Sequence, residues 1–126
     1  MTISCVIVDD NDRFLRAAGA LLEREGITVV AVATNSEEAL RRAGEFRPDV
    51  LLVDIELGQE SGLDLTRRLT AAAPAPWSRV ILMSAHSEDD FGGLIDASPA
   101  LGFLAKPRLS GGAIRRLLGD GHGEPG

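Results

Sequence analysis

The sequence predicts an α/β fold: one five-stranded parallel sheet with helices on both faces. Short apolar runs fall near residues 3–8, 27–33, 49–53, 79–84 and 101–105, and segments of helical period fall between them and after the last. Runs of that length without polar alternation are strands buried on both faces. The connections are short, as expected for successive βα units with right-handed crossovers. At 126 residues the chain is one domain, long enough to bury a core.

Each element has a local reason. ISCVIV forms the first strand and leads into Asp9 and Asp10. The first helix is expected from about Asp12 to Glu25, with Phe14, Ala18, Leu21 and Leu22 on one face and Gly26 as its stop. After the second strand, a helix begins at Asn35 or Ser36, with Glu37 and Glu38 in the first turn, where the helix dipole favours acids. It buries Ala39, Leu40, Ala43 and Phe46, and Pro48 closes it. DVLLV, the third strand, ends at Asp54. The third helix begins near Ser61, carries Leu65 and Leu69 and stops at Pro74, so that AAAPAPW reads as a loop inside the domain. RVILM leads to Ser84, and a fourth helix starts at Ser87, weakened by Gly92 and Gly93. LGFLA leads to Lys106, and the last helix carries Ile114, Leu117 and Leu118. GDGHGEPG reads as a frayed end, giving a domain over 1–118 and a disordered tail over 119–126.

Composition excludes several function classes. Hydrophobic residues at 44% and charged residues at 25% are those of a soluble globular protein. The formal net charge of -6 argues against unaided binding to nucleic acid, which needs clustered cations. No apolar run approaches a membrane span, and the first residues show no basic region followed by a hydrophobic stretch and cleavage site, so secretion is not expected. The single Cys5 lies inside the first apolar run and reads as a core residue, which fits a reducing, cytoplasmic setting.

Four of the five strand ends carry chemistry: Asp9 with Asp10, then Asp54, Ser84 and Lys106. In an open parallel sheet these ends share one edge, where ligands bind. Crowded carboxylates repel unless a cation or proton intervenes, and a hard cation such as Mg²⁺ suits oxygen ligands. Taken alone, the Asp-Asp-Asn turn is equally open to a capping role, but together with Asp54 at the same edge capping becomes the lesser reading. Asp54 is the candidate nucleophile, since a carboxylate can attack phosphorus to form an aspartyl phosphate. Lys106 would neutralise a phosphoryl oxygen as a point charge, and Ser84 could donate a hydrogen bond to another. Phe103, with an apolar neighbour on each side, also reads as an ordinary core aromatic. Glu56 and His86 lie two residues beyond Asp54 and Ser84, so they either flank the same pocket or stand in solvent.

With these residues in place, the chain resembles the receiver domain of two-component response regulators, the fold of the bacterial chemotaxis response regulator. The resemblance runs from about Ile3 to Leu118, with 44 residues from Asp10 to Asp54, 30 to Ser84 and 22 to Lys106. The segment DIELGQESGLDL also resembles the family's run after its acceptor, except that Gly58 stands where proline is common, which would loosen the loop. The resemblance implies a flavodoxin-like (βα)5 sheet with spatial strand order 2-1-3-4-5. It implies Asp54 as phospho-acceptor, Lys106 as the family's lysine and Ser84 with Phe103 as switch residues. It further implies Mg²⁺ held by Asp10, Asp54 and the backbone carbonyl of Glu56, with Asp9 acting through water, and Glu56 and His86 tuning the lifetime of the aspartyl phosphate.

The function expected from this resemblance is a signalling switch, not an enzyme acting on an external substrate. A sensor histidine kinase or phosphotransfer protein would supply the phosphoryl group, and an unknown downstream protein would read the result. Only eight residues follow Leu118, so a stand-alone receiver is expected, with a fragment of a longer DNA-binding regulator as the alternative. Whether phosphorylation drives a homodimer is left open. A Mg²⁺-dependent aspartyl phosphatase fits less well, because those enzymes resemble Asp-X-Asp and this chain has Glu56 in the second position.

Overall fold

The computed structural model of the protein describes residues 2–72 and 79–120. In chain order the first half comprises β1 (Ile3–Val8), α1 (Asp12–Arg24), β2 (Ile27–Ala33), α2 (Ser36–Phe46) and β3 (Val50–Asp54). The second comprises β4 (Glu56–Leu57), β5 (Glu60–Ser61), α3 (Gly62–Ala72), β6 (Val80–Ser84), α4 (Leu94–Ala97), β7 (Gly102–Ala105) and α5 (Gly111–Asp120). Five strands pair in parallel in the order β2-β1-β3-β6-β7. Counted along the chain without the short β4 and β5, this is the expected 2-1-3-4-5.

Alternation along the strands splits the core into two halves. Val6, Val8, Leu51, Val53, Val80 and Leu82 pack on one face with Ala39 of α2, Leu65 and Leu69 of α3 and Ile95 of α4. Cys5, Ile7, Val50, Leu52, Ile81 and Met83 pack on the other with Leu15, Ala18 and Leu22 of α1 and Ile114 and Leu118 of α5. Both central strands β3 and β6 are buried along their whole length. Each fully buried aliphatic side chain contributes about 1.5–3 kcal/mol, so these strands hold the sheet edge rigidly. Burial pushes the Cys5 thiol up to about 12, which keeps it inert.

Local chemistry sets the boundaries. Asn11 caps α1 by accepting the Phe14 N–H at 3.1 Å, and Asn35 caps α2 by accepting the Glu38 N–H at 2.8 Å. The start of α5 is tied to the end of α1, where the Glu25 carboxylate accepts the Gly111 N–H and the Glu25 carbonyl accepts from Arg115. No helix among the described residues is long and apolar enough to cross a membrane.

Several expectations need correction. The core face of α1 is Leu15, Ala18 and Leu22, while Phe14 and Leu21 are half-buried. Phe46 is 42% exposed, because α2 has reached its last turn there and Arg47 turns out of the helix at φ 45. The fourth helix is broken: Glu88–Phe91 forms a 3₁₀ turn capped by Ser87, Gly92 takes φ 59, and only Leu94–Ala97 is α-helical. α5 continues to Asp120, past the expected end at Leu118, and residues 121–126 of the expected tail lie outside the described residues. Ala71 and Ala72 of the AAAPAPW stretch are still helical, and residues 73–78 lie outside the described residues.

Gly58 does not loosen its loop. It takes φ 63 in the two-residue turn of the β4–β5 hairpin, a conformation proline is barred from. The hairpin is fastened at its far side, where the Glu60 carboxylate accepts the Ser36 N–H at 2.7 Å.

Two glycines separate close approach from empty space. A Cβ on Gly62 would lie 2.1 Å from the Asp54 carbonyl oxygen, whereas one on Gly19 meets nothing within 4 Å. Urea unfolding is expected to show Gly62→Ala destabilised by at least about 1–3 kcal/mol. Gly19→Ala, in the interior of α1, is expected to be stabilised by up to about 1 kcal/mol.

Candidate functional site

At the carboxyl end of the sheet, three loops are closed in the same manner. A side-chain oxygen at the strand end accepts the backbone N–H two residues on: Asp9 from Asn11 at 2.8 Å, Asp54 from Glu56 at 3.0 Å and Ser84 from His86 at 2.9 Å. These local turns fix the Ser84 hydroxyl and one oxygen of each aspartate, and leave the second oxygens of Asp9 and Asp54 facing Lys106.

The sequence-predicted acids and lysine come together. One oxygen from each of Asp9, Asp10 and Asp54 lies within 4.8 Å of the others. Lys106, at the end of β7, reaches across the edge and places its Nζ 2.7 Å from Asp9 Oδ2 and 3.3 Å from Asp54 Oδ2. Asp9 is fully buried and Asp54 nearly so, while Asp10 is exposed at the mouth. An all-oxygen donor set with one open, solvent-facing carboxylate fits a hard divalent cation.

Burial is the main reason that the Asp54 carboxyl is pushed up to about 6. Lys106 opposes the rise, Asp9 adds to it, and the Glu56 N–H opposes it. For Lys106, burial alone would lower the ammonium, but the hydrogen bond to Asp9 and the charges of Asp54 and Asp9 outweigh burial and raise it. The site therefore holds a lysine kept in its charged form and an acid that keeps its proton to higher pH than an ordinary aspartate.

The remaining predicted residues form the rim. Ser84 is fully buried at the end of β6, next to β3, with its hydroxyl engaged by the His86 N–H. Glu56 and His86 are both more than half exposed, yet they meet: His86 Nε2 lies 3.3 Å from Glu56 Oε1. Phe103 is half-buried on β7, with its ring 6.4 Å from that of Phe91, which in turn lies 6.5 Å edge-on from His86. A continuous run of side chains thus joins the acceptor loop to β7.

Two members of this neighbourhood are not evident from sequence. Phe91 sits in what reads as a weak polar helix start. Phe14 has the spacing of a core residue, yet its ring faces the Lys106 ammonium at 4.3 Å from the centroid.

The response regulator receiver domain family matches residues 5–115. The chain is 35% identical over 104 residues to the protein-glutamate methylesterase/protein-glutamine glutaminase of Haloarcula marismortui, covering 80% of this chain and 27% of that protein. It thus spans about a quarter of the length of the curated relatives it matches. A solved two-component response regulator of the LuxR family from Aurantimonas sp. SI85-9A1 superposes with a TM-score of 0.85 at 27% identity, covering 95% of this chain and 87% of the other. A response regulator protein from Burkholderia pseudomallei, solved with a phosphorylated aspartic acid, a calcium ion and citrate, superposes with a TM-score of 0.77 at 29% identity, covering 92% and 66%.

The raised Asp54 value fixes a pH dependence. Between about pH 4 and the folded value of about 6, the native protein holds a proton that the unfolded chain has lost. This contribution to stability is present at low pH and is lost as pH rises through that window. In the absence of metal, Asp54→Asn is expected to gain stability relative to the parent chain over the same window, read by urea unfolding in a chelator. Divalent-cation affinity is expected to weaken below about pH 6, where a proton competes for the same carboxylate. Stability curves that stay parallel from pH 4 to 7 would remove the basis for this assignment.

Proposed function

The chain belongs to the response regulator receiver domain family, and on that footing we propose that it is a phospho-accepting signalling switch with Asp54 as the acceptor. The observation that carries this reading is Lys106, held 3.3 Å from Asp54 Oδ2 beside two further acids that leave room for a cation. The donor is a histidine kinase or phosphotransfer protein in a cytoplasmic setting.

In the transfer, an Asp54 Oδ attacks phosphorus, the P–N bond of the donor's phosphohistidine breaks, and its imidazole leaves with the bonding electrons. Lys106 neutralises a phosphoryl oxygen, and the fixed loops hold the acceptor in line. Asp10, Asp54 and the Glu56 carbonyl would hold Mg²⁺, which neutralises charge on the phosphoryl oxygens when bound. Both oxygens of Asp9 are already engaged, one by the Asn11 N–H and one by Lys106, which suits a role through water.

Ser84 and Phe103 are the residues that read the modification. The Ser84 hydroxyl turns from the His86 N–H to a phosphoryl oxygen, and Phe103 follows into the space vacated. Phosphorylation adds charge and acceptor oxygens, biasing a two-state equilibrium of the surface around α4, β7 and α5 toward a downstream protein. That face already contains a broken helix and the exposed Leu94 and Leu101. The longer curated relatives support a second reading, in which this domain governs an effector region in the same polypeptide.

Acetyl phosphate with Mg²⁺ is expected to add one phosphoryl group to the protein, seen by intact mass, and to add none to Asp54→Asn. Equal labelling of both proteins would overturn the assignment. Glu56 follows the acceptor by two residues and meets His86, so substituting either side chain is expected to change the lifetime of the aspartyl phosphate by several-fold, on the order of 1 kcal/mol in the hydrolysis barrier. Decay rates identical to those of the parent chain would rule out this role.

A further inference from the structure

Phe14 closes a circuit around the active ammonium. Asp9 Oδ1 accepts the Asn11 N–H at 2.8 Å, and Asn11 Oδ1 accepts the Phe14 N–H at 3.1 Å. The Phe14 ring then stands 4.3 Å from Lys106 Nζ, which lies 2.7 Å from Asp9 Oδ2. The cap that starts α1 therefore also decides where this ring sits. Lys106 is enclosed by two carboxylates and one aromatic face, with its side chain 17% exposed.

Resting on the phospho-acceptor reading, we propose that Phe14 is a positioning residue for phosphoryl transfer, acting through Lys106. The ammonium donates to Asp54 Oδ2 and is ion-paired with Asp9 Oδ2, and its remaining side meets the ring. The aromatic face attracts the cation through its quadrupole and takes no directed hydrogen bond. It also excludes water from one side, where the attraction gains strength.

This matters when the acceptor changes. With acetyl phosphate as donor, an Asp54 Oδ–P bond forms, the P–O bond to the acetyl group breaks, and acetate leaves with the electron pair. Asp54 gives up its own charge to the new bond, and negative charge now resides on the phosphoryl oxygens. The ammonium must release Asp54 Oδ2 and turn a donor to one of those oxygens. Asp9 on one side and the Phe14 ring on the other hold it in place through this exchange. A leucine of similar bulk would fill the space without attracting the charge.

The test uses the full chain with acetyl phosphate and Mg²⁺, following phosphoprotein formation by intact mass. Phe14→Leu is expected to slow the initial rate on the order of tenfold, and Phe14→Tyr to restore it to within about twofold, because the tyrosine ring keeps the quadrupole. Phe14→Met serves as a second non-aromatic control, unbranched where leucine is branched, and is expected to behave as Phe14→Leu. Mg²⁺ affinity should be the same in all four proteins, which separates this effect from damage to the metal ligands. By NMR, the Lys106 methylene protons should be shifted upfield by the ring in the parent chain and in Phe14→Tyr, and should lose that shift in the aliphatic variants. A leucine variant that labels as fast as the parent chain overturns the proposal. So does a tyrosine variant as slow as the leucine one, which would mean that shape and not the π face matters. If the parent chain takes no phosphoryl group at all, the acceptor reading itself fails and this inference falls with it.

Discussion

One ammonium set among three carboxylates is the constraint from which the rest of the site follows. Two of the acids are buried, and buried like charges are unstable together unless a cation stands between them. Lys106 supplies that cation in the resting protein, within reach of both Asp9 and Asp54. Its single positive charge does not balance three negative ones, so the cluster retains an appetite for a proton or a divalent ion. The high Asp54 value expresses the first, and the oxygen geometry around Asp10 expresses the second. Each means of relieving the excess charge bears on the proposed phosphoryl transfer to the same carboxylate.

The fold exists to hold this unstable arrangement. β3 and β6 are buried on both faces, so the backbone at Asp54 and Ser84 has little freedom. Gly62 brings the start of α3 directly under the Asp54 carbonyl, an approach that no side chain allows. The segment proposed to switch is built differently. The region after Ser84 is a 3₁₀ turn, a glycine at positive φ and a helix of four residues. Few buried side chains anchor it, Ile95 being the exception, and low local stability is what a two-state output element requires.

Most of the site was legible in sequence because parallel topology alone gathers strand ends. Asp9, Asp10, Asp54 and Lys106 could be placed together from the position of each after an apolar run, with no knowledge of side-chain geometry. Long periodic helices were equally readable, as Leu65, Leu69 and Ile114 show. What escaped depends on contacts between distant residues or on very short elements. The β4–β5 hairpin has two-residue strands, too brief for any periodicity, and Gly58 looked like slack when it is a turn. Phe14 is spaced like a core residue and indeed touches the core, yet its ring faces a lysine from the far end of the chain. Phe46 had the right period but stands at the helix end, where the apolar stripe has run out of protein to cover it.

If this balance of charge selects the acceptor, Asp54 receives phosphorus and no other acid of the crowded edge does. Borohydride reduction after treatment with acetyl phosphate and Mg²⁺ tests it most directly, because it converts an aspartyl phosphate to homoserine, which peptide mass mapping can locate. Conversion at position 54 alone is the expected result. Conversion at Asp9 or Asp10, or spread over the exposed acids Glu88, Asp89 and Asp90, would contradict it.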